Sequence, residues 1–184
     1  MRKLKLQMQL SIDGFCGGLN NEMDWMEWNW DDELKNYVTE LTDSSDTILL
    51  GRKMTPGFVT HWEGVVANPS DPSYPFAKKM VDTPKVVFTK TLDKSEWRNT
   101  VLAKGDLADE IKKLKNQSGK DIIVYGGVTF VSSLIKEGLI DELNLFVNPT
   151  ALGKGLQIFT GITKLKLIRA RSFACGIALL CYKA

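Results

Sequence analysis

The chain is poor in the groups that metal and redox chemistry use. Among its 184 residues there is one histidine, His61, and there are three cysteines, Cys16, Cys175 and Cys181. A single histidine excludes a multi-histidine metal site and argues against a histidine-dependent triad, and the cysteines fit no zinc spacing. An odd, sparse cysteine count suits a reducing cytoplasm, the expected location. An excess of one charge is also missing. The 24 basic and 22 acidic residues leave a net charge of +2, and no basic block stands out. Neither nucleic acid nor an anionic membrane surface is therefore expected as a partner. No window approaches the roughly 20 apolar residues of a membrane span. The stretch Met1-Arg2-Lys3-Leu4-Lys5-Leu6-Gln7 interleaves charged and apolar residues, unlike the continuous apolar core of a signal peptide.

What is present is ordinary globular material: 43% hydrophobic and 25% charged residues in a length that suits one domain, taken as residues 1–184. Leu4 to Ile12 alternates apolar and polar residues and reads as a strand ended by Asp13-Gly14. A glycine- and asparagine-containing loop and an aromatic stretch with Trp25, Trp28 and Trp30 follow. That cluster reads as packed loop in preference to a stacking platform. Asp31, Asp32 and Glu33 form the acidic first turn of a helix whose apolar positions are Leu34, Tyr37, Val38 and Leu41. Thr47 to Leu50 reads as a short buried strand running into Gly51-Arg52-Lys53. Prolines mark Glu63 to Thr83 as mostly loop, with one turn of helix at Phe76 to Val81. His61 reads as an exposed loop residue. Lys85 to Thr89 is the next strand, and Asp106 caps a helix with Leu107, Ile111 and Leu114 on its buried face. Further strands are expected at Asp121 to Tyr125 and Glu142 to Asn148, separated by a helix from Val128 to Glu137. A closing hairpin joins Thr163–Arg171 to Phe173–Tyr182. This order predicts an α/β fold: a mainly parallel sheet with a C-terminal antiparallel hairpin and helices on both faces.

Three strand ends carry polar or glycine signals: Gly51-Arg52-Lys53, Thr89-Lys90-Thr91 and Gly126-Gly127. In open α/β sheets, ligands gather outside the carboxyl ends of the strands. A glycine pair between strand and helix admits a close backbone approach, and the unpaired N–H groups of the next helix suit a phosphate. Taken alone the pair serves equally well as a tight turn.

With these motifs in place, the chain resembles the dihydrofolate-reductase-like superfamily. Within it, the chain is most similar to the family built on the C-terminal domain of the bacterial riboflavin-biosynthesis reductase. The resemblance rests on Ser11-Ile12-Asp13-Gly14-Phe15, Thr47 to Lys53, Val86 to Leu92, Ile123 to Gly127, Gly138 to Leu143, Pro149 and Gly153-Lys154-Gly155. It implies NADPH as cofactor. Arg52, Lys53, Thr89 and Lys90 would meet its 2′-phosphate side, and Gly51, Tyr125, Gly126, Gly127, Val128 and Thr129 would border the diphosphate. The loop from Asp13 to Leu19, with Gly17, would cover the nicotinamide as a mobile lid. Asp13, Asp32 and Glu33 are the carboxylates considered for catalysis, beside capping and turn-forming readings of the same residues. The implied reaction is hydride transfer to a small planar nitrogen heterocycle of pterin or pyrimidine type, in the manner of 5-amino-6-(5-phosphoribosylamino)uracil reductase. The alternatives are a nucleotide-binding module of the same fold without turnover, and a protein that retains only the fold. The chain departs from the family pattern at Met54, which displaces the threonine to Thr55, and at Tyr125, where the riboflavin enzymes carry glutamate. Relatives of this kind commonly dimerise, and Leu143 to Val147 is expected to contribute to a homodimer interface.

Overall fold

The computed structural model describes residues 1–184. Eight strands form one sheet in the order β4-β3-β2-β5-β1-β6-β8-β7. They are β1 (Leu4–Ser11), β2 (Ser45–Gly51), β3 (Lys85–Phe88), β4 (Thr100–Ala103), β5 (Asp121–Gly126), β6 (Glu142–Asn148), β7 (Lys166–Ser172) and β8 (Ala178–Lys183). The first six are mutually parallel, β8 pairs antiparallel with β6, and β7 pairs antiparallel with β8. The helices are α1 (Asp32–Asp43), α2 (Thr55–Val66), α3 (Tyr74–Asp82), α4 (Leu107–Lys115) and α5 (Val128–Lys136). The architecture is the expected mainly parallel sheet with a C-terminal antiparallel hairpin.

The pleat divides the core in two. Leu49, Val86, Ile122 and Val124 face α4 and α5, where they meet Ile111, Val131 and Leu134. Ile48, Leu50, Val87 and Ile123 face α1, α2 and α3, where they meet Leu34, Val38, Phe58 and Met80. Near-continuous apolar runs in β2, β3 and β5 are what a strand covered on both faces requires.

The segment from Glu63 to Thr83 differs from the expected loop. It holds the end of α2 and the whole of α3. Pro56 and Pro75 occupy the first positions of these helices, where a missing N–H costs nothing because that group has no intrahelical partner. The prolines that read as loop markers in fact start helices, and only the connection around Pro69 and Pro72 is irregular. β4 was not expected at all. It is a four-residue edge strand whose hydrogen bonds come entirely from β3, far along the chain.

The expected interface at Leu143 to Val147 is also corrected. This segment is β6, hydrogen-bonded on one side to β1 and on the other to β8. Leu143, Leu145 and Phe146 are buried in the core and have no free edge to offer. The exposed edge on that side of the sheet is β7. No helix is long and apolar enough to cross a membrane.

Candidate functional site

The carboxyl ends of β1, β2, β3, β5 and β6 bring Ser11, Gly51, Phe88, Gly126 and Asn148 to one rim of the sheet. On the β2–β3–β5 part of this rim, Arg52, Lys53 and Lys90 are exposed and enter no ion pair. α5 starts directly behind Gly127, and no side chain caps it, so its first N–H groups have no side-chain partner. Thr129 is exposed in that first turn and Val128 half-buried. Gly126 has φ +146°, a backbone conformation that favours glycine, and its peptide bond to Gly127 is cis. A Cβ built on Gly126 would lie 2.5 Å from the sulfur of Met54. Met54 thus occupies the space over the glycine pair. Thr55 donates its hydroxyl to the Gly51 carbonyl at 3.1 Å and is fully buried. Its hydroxyl caps the turn and does not point outward.

Gly51 has a different role from the one expected. A Cβ there would lie 2.9 Å from the Cβ of Phe130 and 3.0 Å from the Gly127 nitrogen. The missing side chain lets α5 seat against β2. Phe130 is held in turn by stacking on Phe88, with ring centroids 4.8 Å apart. Thr89 is buried, and its Oγ1 accepts from the N–H groups of Thr91 at 3.1 Å and Leu92 at 3.2 Å, shaping the loop that presents Lys90.

Tyr125 was expected to border the cofactor. Its side chain instead points into the α1–α2 layer. The hydroxyl shares a 2.8 Å hydrogen bond with Thr42, and the ring packs on Phe58 with centroids 5.8 Å apart. Burial pushes this hydroxyl above the ordinary phenol range. Only the Tyr125 backbone lies on the glycine-pair side.

The three candidate carboxylates are drawn into contacts of their own. Asp13 accepts from the Ser11 hydroxyl at 2.6 Å, from Leu152 N–H at 3.1 Å and from Gly153 N–H at 2.7 Å. The Ser11 hydroxyl, followed by the two N–H groups, holds its carboxyl below the usual range, against a small opposing effect of burial. Glu33 pairs with Arg171 at the β7–β8 end. Asp32 is exposed beside Lys35 at 3.7 Å. The helix cap is Asp31, which accepts from Leu34 N–H at 2.8 Å and Cys175 N–H at 3.0 Å.

The expected lid is anchored at its first half. Besides the Asp13 contacts, Cys16 N–H donates to Leu156 at 2.8 Å, and Leu156 N–H donates to Gly17 at 2.8 Å. Gly17 is buried in this bridge. The rest of the loop is more open, with Leu19, Met23 and Trp28 at least half exposed. Trp30 packs against the core, as the packed-loop reading requires.

A second opening lies beside the glycine pair, on the α1 face. At its C-terminal end α1 reaches β5 through Thr42 and Tyr125. Midway, Tyr37 packs on Phe146 and Phe173, with centroids 6.1 and 6.4 Å away. At its N-terminal end, α1 is tied to the β7–β8 hairpin through Asp31 and Glu33. α1 therefore diverges from α2 toward the carboxyl ends of the strands and leaves a wedge over β1. Gln7 and Gln9 stand on this face of β1, and Asn148 ends the neighbouring strand. None of the three was singled out in the sequence. The available signal was the polar alternation of β1, which becomes unusual only once β1 is known to be interior.

The chain's tight cavity lies elsewhere. It is a space of about 10 Å³ lined by Phe58, Trp62, Met80 and Lys85, too small for more than one water.

The pattern of the RibD C-terminal domain matches residues 2–179. The chain belongs to this family. Among its relatives, the uncharacterized protein YyaP of Bacillus subtilis (strain 168) is 29% identical over 186 residues, covering 98% of this chain and 94% of YyaP. The riboflavin biosynthesis protein RibD of Aquifex aeolicus is 31% identical over 94 residues, which is 46% of this chain and 26% of that protein. A putative riboflavin biosynthesis protein from Shewanella sp. PV-4 superposes with a TM-score of 0.69 at 22% identity, covering 100% of this chain and 98% of that one. The Thermotoga maritima diaminohydroxyphosphoribosylaminopyrimidine deaminase/5-amino-6-(5-phosphoribosylamino)uracil reductase superposes with a TM-score of 0.67 at 17% identity. This RibD C-terminal domain covers 99% of itself and 56% of that bifunctional chain. At these identities the structural likenesses establish the fold.

Proposed function

We propose that the protein is an NADPH-dependent reductase of a small planar nitrogen heterocycle of pyrimidine or pterin type. The observation that carries this reading is the junction of the uncapped α5 N-terminus, Gly126-Gly127 without side chains, and the free cations Arg52, Lys53 and Lys90 on neighbouring strand ends. Such a donor set suits a dinucleotide diphosphate at the helix and a further phosphate at the cations. The family's reductases supply the reaction type. The cofactor, when bound, brings the hydride. The chain's own residues bind its phosphates, orient its ring beside the wedge over β1 and exclude water there.

A second reading is a nucleotide-binding module without turnover. What favours it is the placement of Asp13, Asp32 and Glu33, none of which is directed into the wedge as a proton donor. Titration with NADPH tests the cofactor assignment that both readings share. A screen of NADPH oxidation against pterins, flavins and pyrimidines then separates turnover from binding. A homodimer belongs to the same proposal. With β6 interior, its interface is assigned to β7, where Leu167 and Ile168 are about half exposed. Sedimentation in solution tests that part.

A further inference from the structure

β1 lies between β5 and β6 in the interior of the sheet. A parallel strand covered on both faces is ordinarily apolar on both. One face of β1 obeys this with Leu4, Leu6, Met8 and Leu10. The other carries Lys5, Gln7, Gln9 and Ser11. Lys5 is accounted for by its 2.9 Å pair with Asp121 and its 2.8 Å bond to Ser44. Ser11 is accounted for by Asp13 and by the N–H of Phe15 at 2.9 Å. The two glutamines are not. Gln7 is 9% exposed, yet its Oε1 has no hydrogen-bond partner. A buried acceptor left unpaired costs about 1–3 kcal/mol, and a group in this state calls for an explanation.

The orientation of Gln9 follows from its surroundings. Asn148 is fully buried, and its Oδ1 must accept, because Glu27 N–H points at it from 2.9 Å. Its Nδ2 must donate, because the Phe146 and Leu10 carbonyls lie 3.2 and 3.3 Å away. The same Nδ2 lies 2.8 Å from Gln9, so the Gln9 atom facing it is the oxygen. Gln9 is half-buried, and its Nε2 donors are left facing the wedge with no protein acceptor. The wedge floor therefore offers amide donors from Gln9 and an unsatisfied amide acceptor from Gln7.

No carboxylate shares this floor. Asp13, Asp31 and Glu33 are bonded as described, and Glu27 accepts from Asn29 N–H at 2.6 Å. A heterocycle that binds as a cation would find no counter-charge here.

We infer that Gln9, backed by Gln7 and oriented by Asn148, is the specificity-determining residue of this site and reads the donor–acceptor edge of a neutral lactam ring. The inference rests on the reductase reading for its setting. Gln9 Nε2 donates to a ring carbonyl, and Gln7 Oε1 accepts from a ring N–H or from a water that the ring retains. Sites built on such pairs discriminate strongly, because a ligand lacking the matching group leaves buried polar atoms unpaired.

Calorimetric titration of the full chain, with and without NADPH, tests this using 5,6-diaminouracil as the neutral probe and 2,4-diaminopyrimidine as the cation-forming one. The wild type is expected to bind the uracil at least ~10-fold more tightly than the diaminopyrimidine, and Gln9→Leu should lose at least ~10-fold in uracil affinity. NADPH affinity in that variant should stay within about twofold, since Gln9 lies outside the phosphate-binding rim. Gln9→Glu, which keeps the shape and adds a charge, should shift preference toward the diaminopyrimidine. The inference is overturned if Gln9→Leu binds the uracil like wild type. It is also overturned if wild type prefers the diaminopyrimidine, or binds no uracil in either state. Uracil binding that depends on Gln9 in a protein that does not bind NADPH would refute the cofactor assignment and leave this one standing.

Discussion

Gly51 and Phe130 approach so closely that a Cβ on Gly51 would lie 2.9 Å from the Phe130 Cβ. The contact seats the first turn of α5 on β2 and so sets where the helix N–H groups point. Gly51→Ala should lower stability by about 1–3 kcal/mol through overpacking. Urea denaturation measures this as a lower midpoint, and an unchanged midpoint would show that α5 yields easily.

Arg52 is exposed and free of ion pairs, so its guanidinium fork is available to a phosphate. Arg52→Ala should weaken NADPH binding about 10-fold or more while changing NADH binding little, in line with the ~1.5–3 kcal/mol of a charge-assisted hydrogen bond. Equal losses for both dinucleotides would remove the 2′-phosphate assignment.

Gly126 combines φ +146° with the Met54 sulfur on its Cβ side. Gly126→Ala should cost about 1–3 kcal/mol and abolish NADPH binding. Adding Met54→Ala removes the clash but not the backbone conflict, so the double variant should recover only part of the loss. Full recovery of stability and binding would show that steric contact alone makes the position glycine.

The Asp13 clasp carries a pH signature. Hydrogen bonds from Ser11, Gly153 and Leu152 hold its carboxyl below the ordinary value of 3.8 in the folded chain. The unfolded chain therefore binds the proton first. The stabilisation from this group is complete above 3.8 and is lost as pH falls through the lower folded value. Asp13→Asn should flatten acid denaturation in that range and loosen residues 11–17 against 150–156, read by hydrogen exchange. An unchanged acid limb would assign Asp13 no role in the clasp.

How much was legible follows the range of each interaction. Asp106 capping α4 through Ala108 and Asp109 N–H spans only neighbouring residues, and its signal was plain. The glycines at the ends of β2 and β5 and the run of elements likewise declared themselves locally. Prolines misled, because the same residue starts a helix or breaks one according to its neighbours in space.

The sequence by itself determined the fold class, because hydrophobic periodicity and capping are short-range physics. It also determined that glycines and cations would gather at the carboxyl ends of strands, since element order places them there. The tertiary structure decided which polar groups are free to act. Glu33 meets Arg171, Asp13 meets Gly153 and Tyr125 meets Thr42, and each pairing withdraws a candidate that looked available in the chain. Asn148 meets Gln9 across β6 and β1, and turns an unremarked glutamine outward. These contacts join residues about a hundred positions apart or more, apart from the 83 between Thr42 and Tyr125. The hydrogen-bonding capacity of a side chain is a local property, but whether it is already satisfied depends on the whole fold.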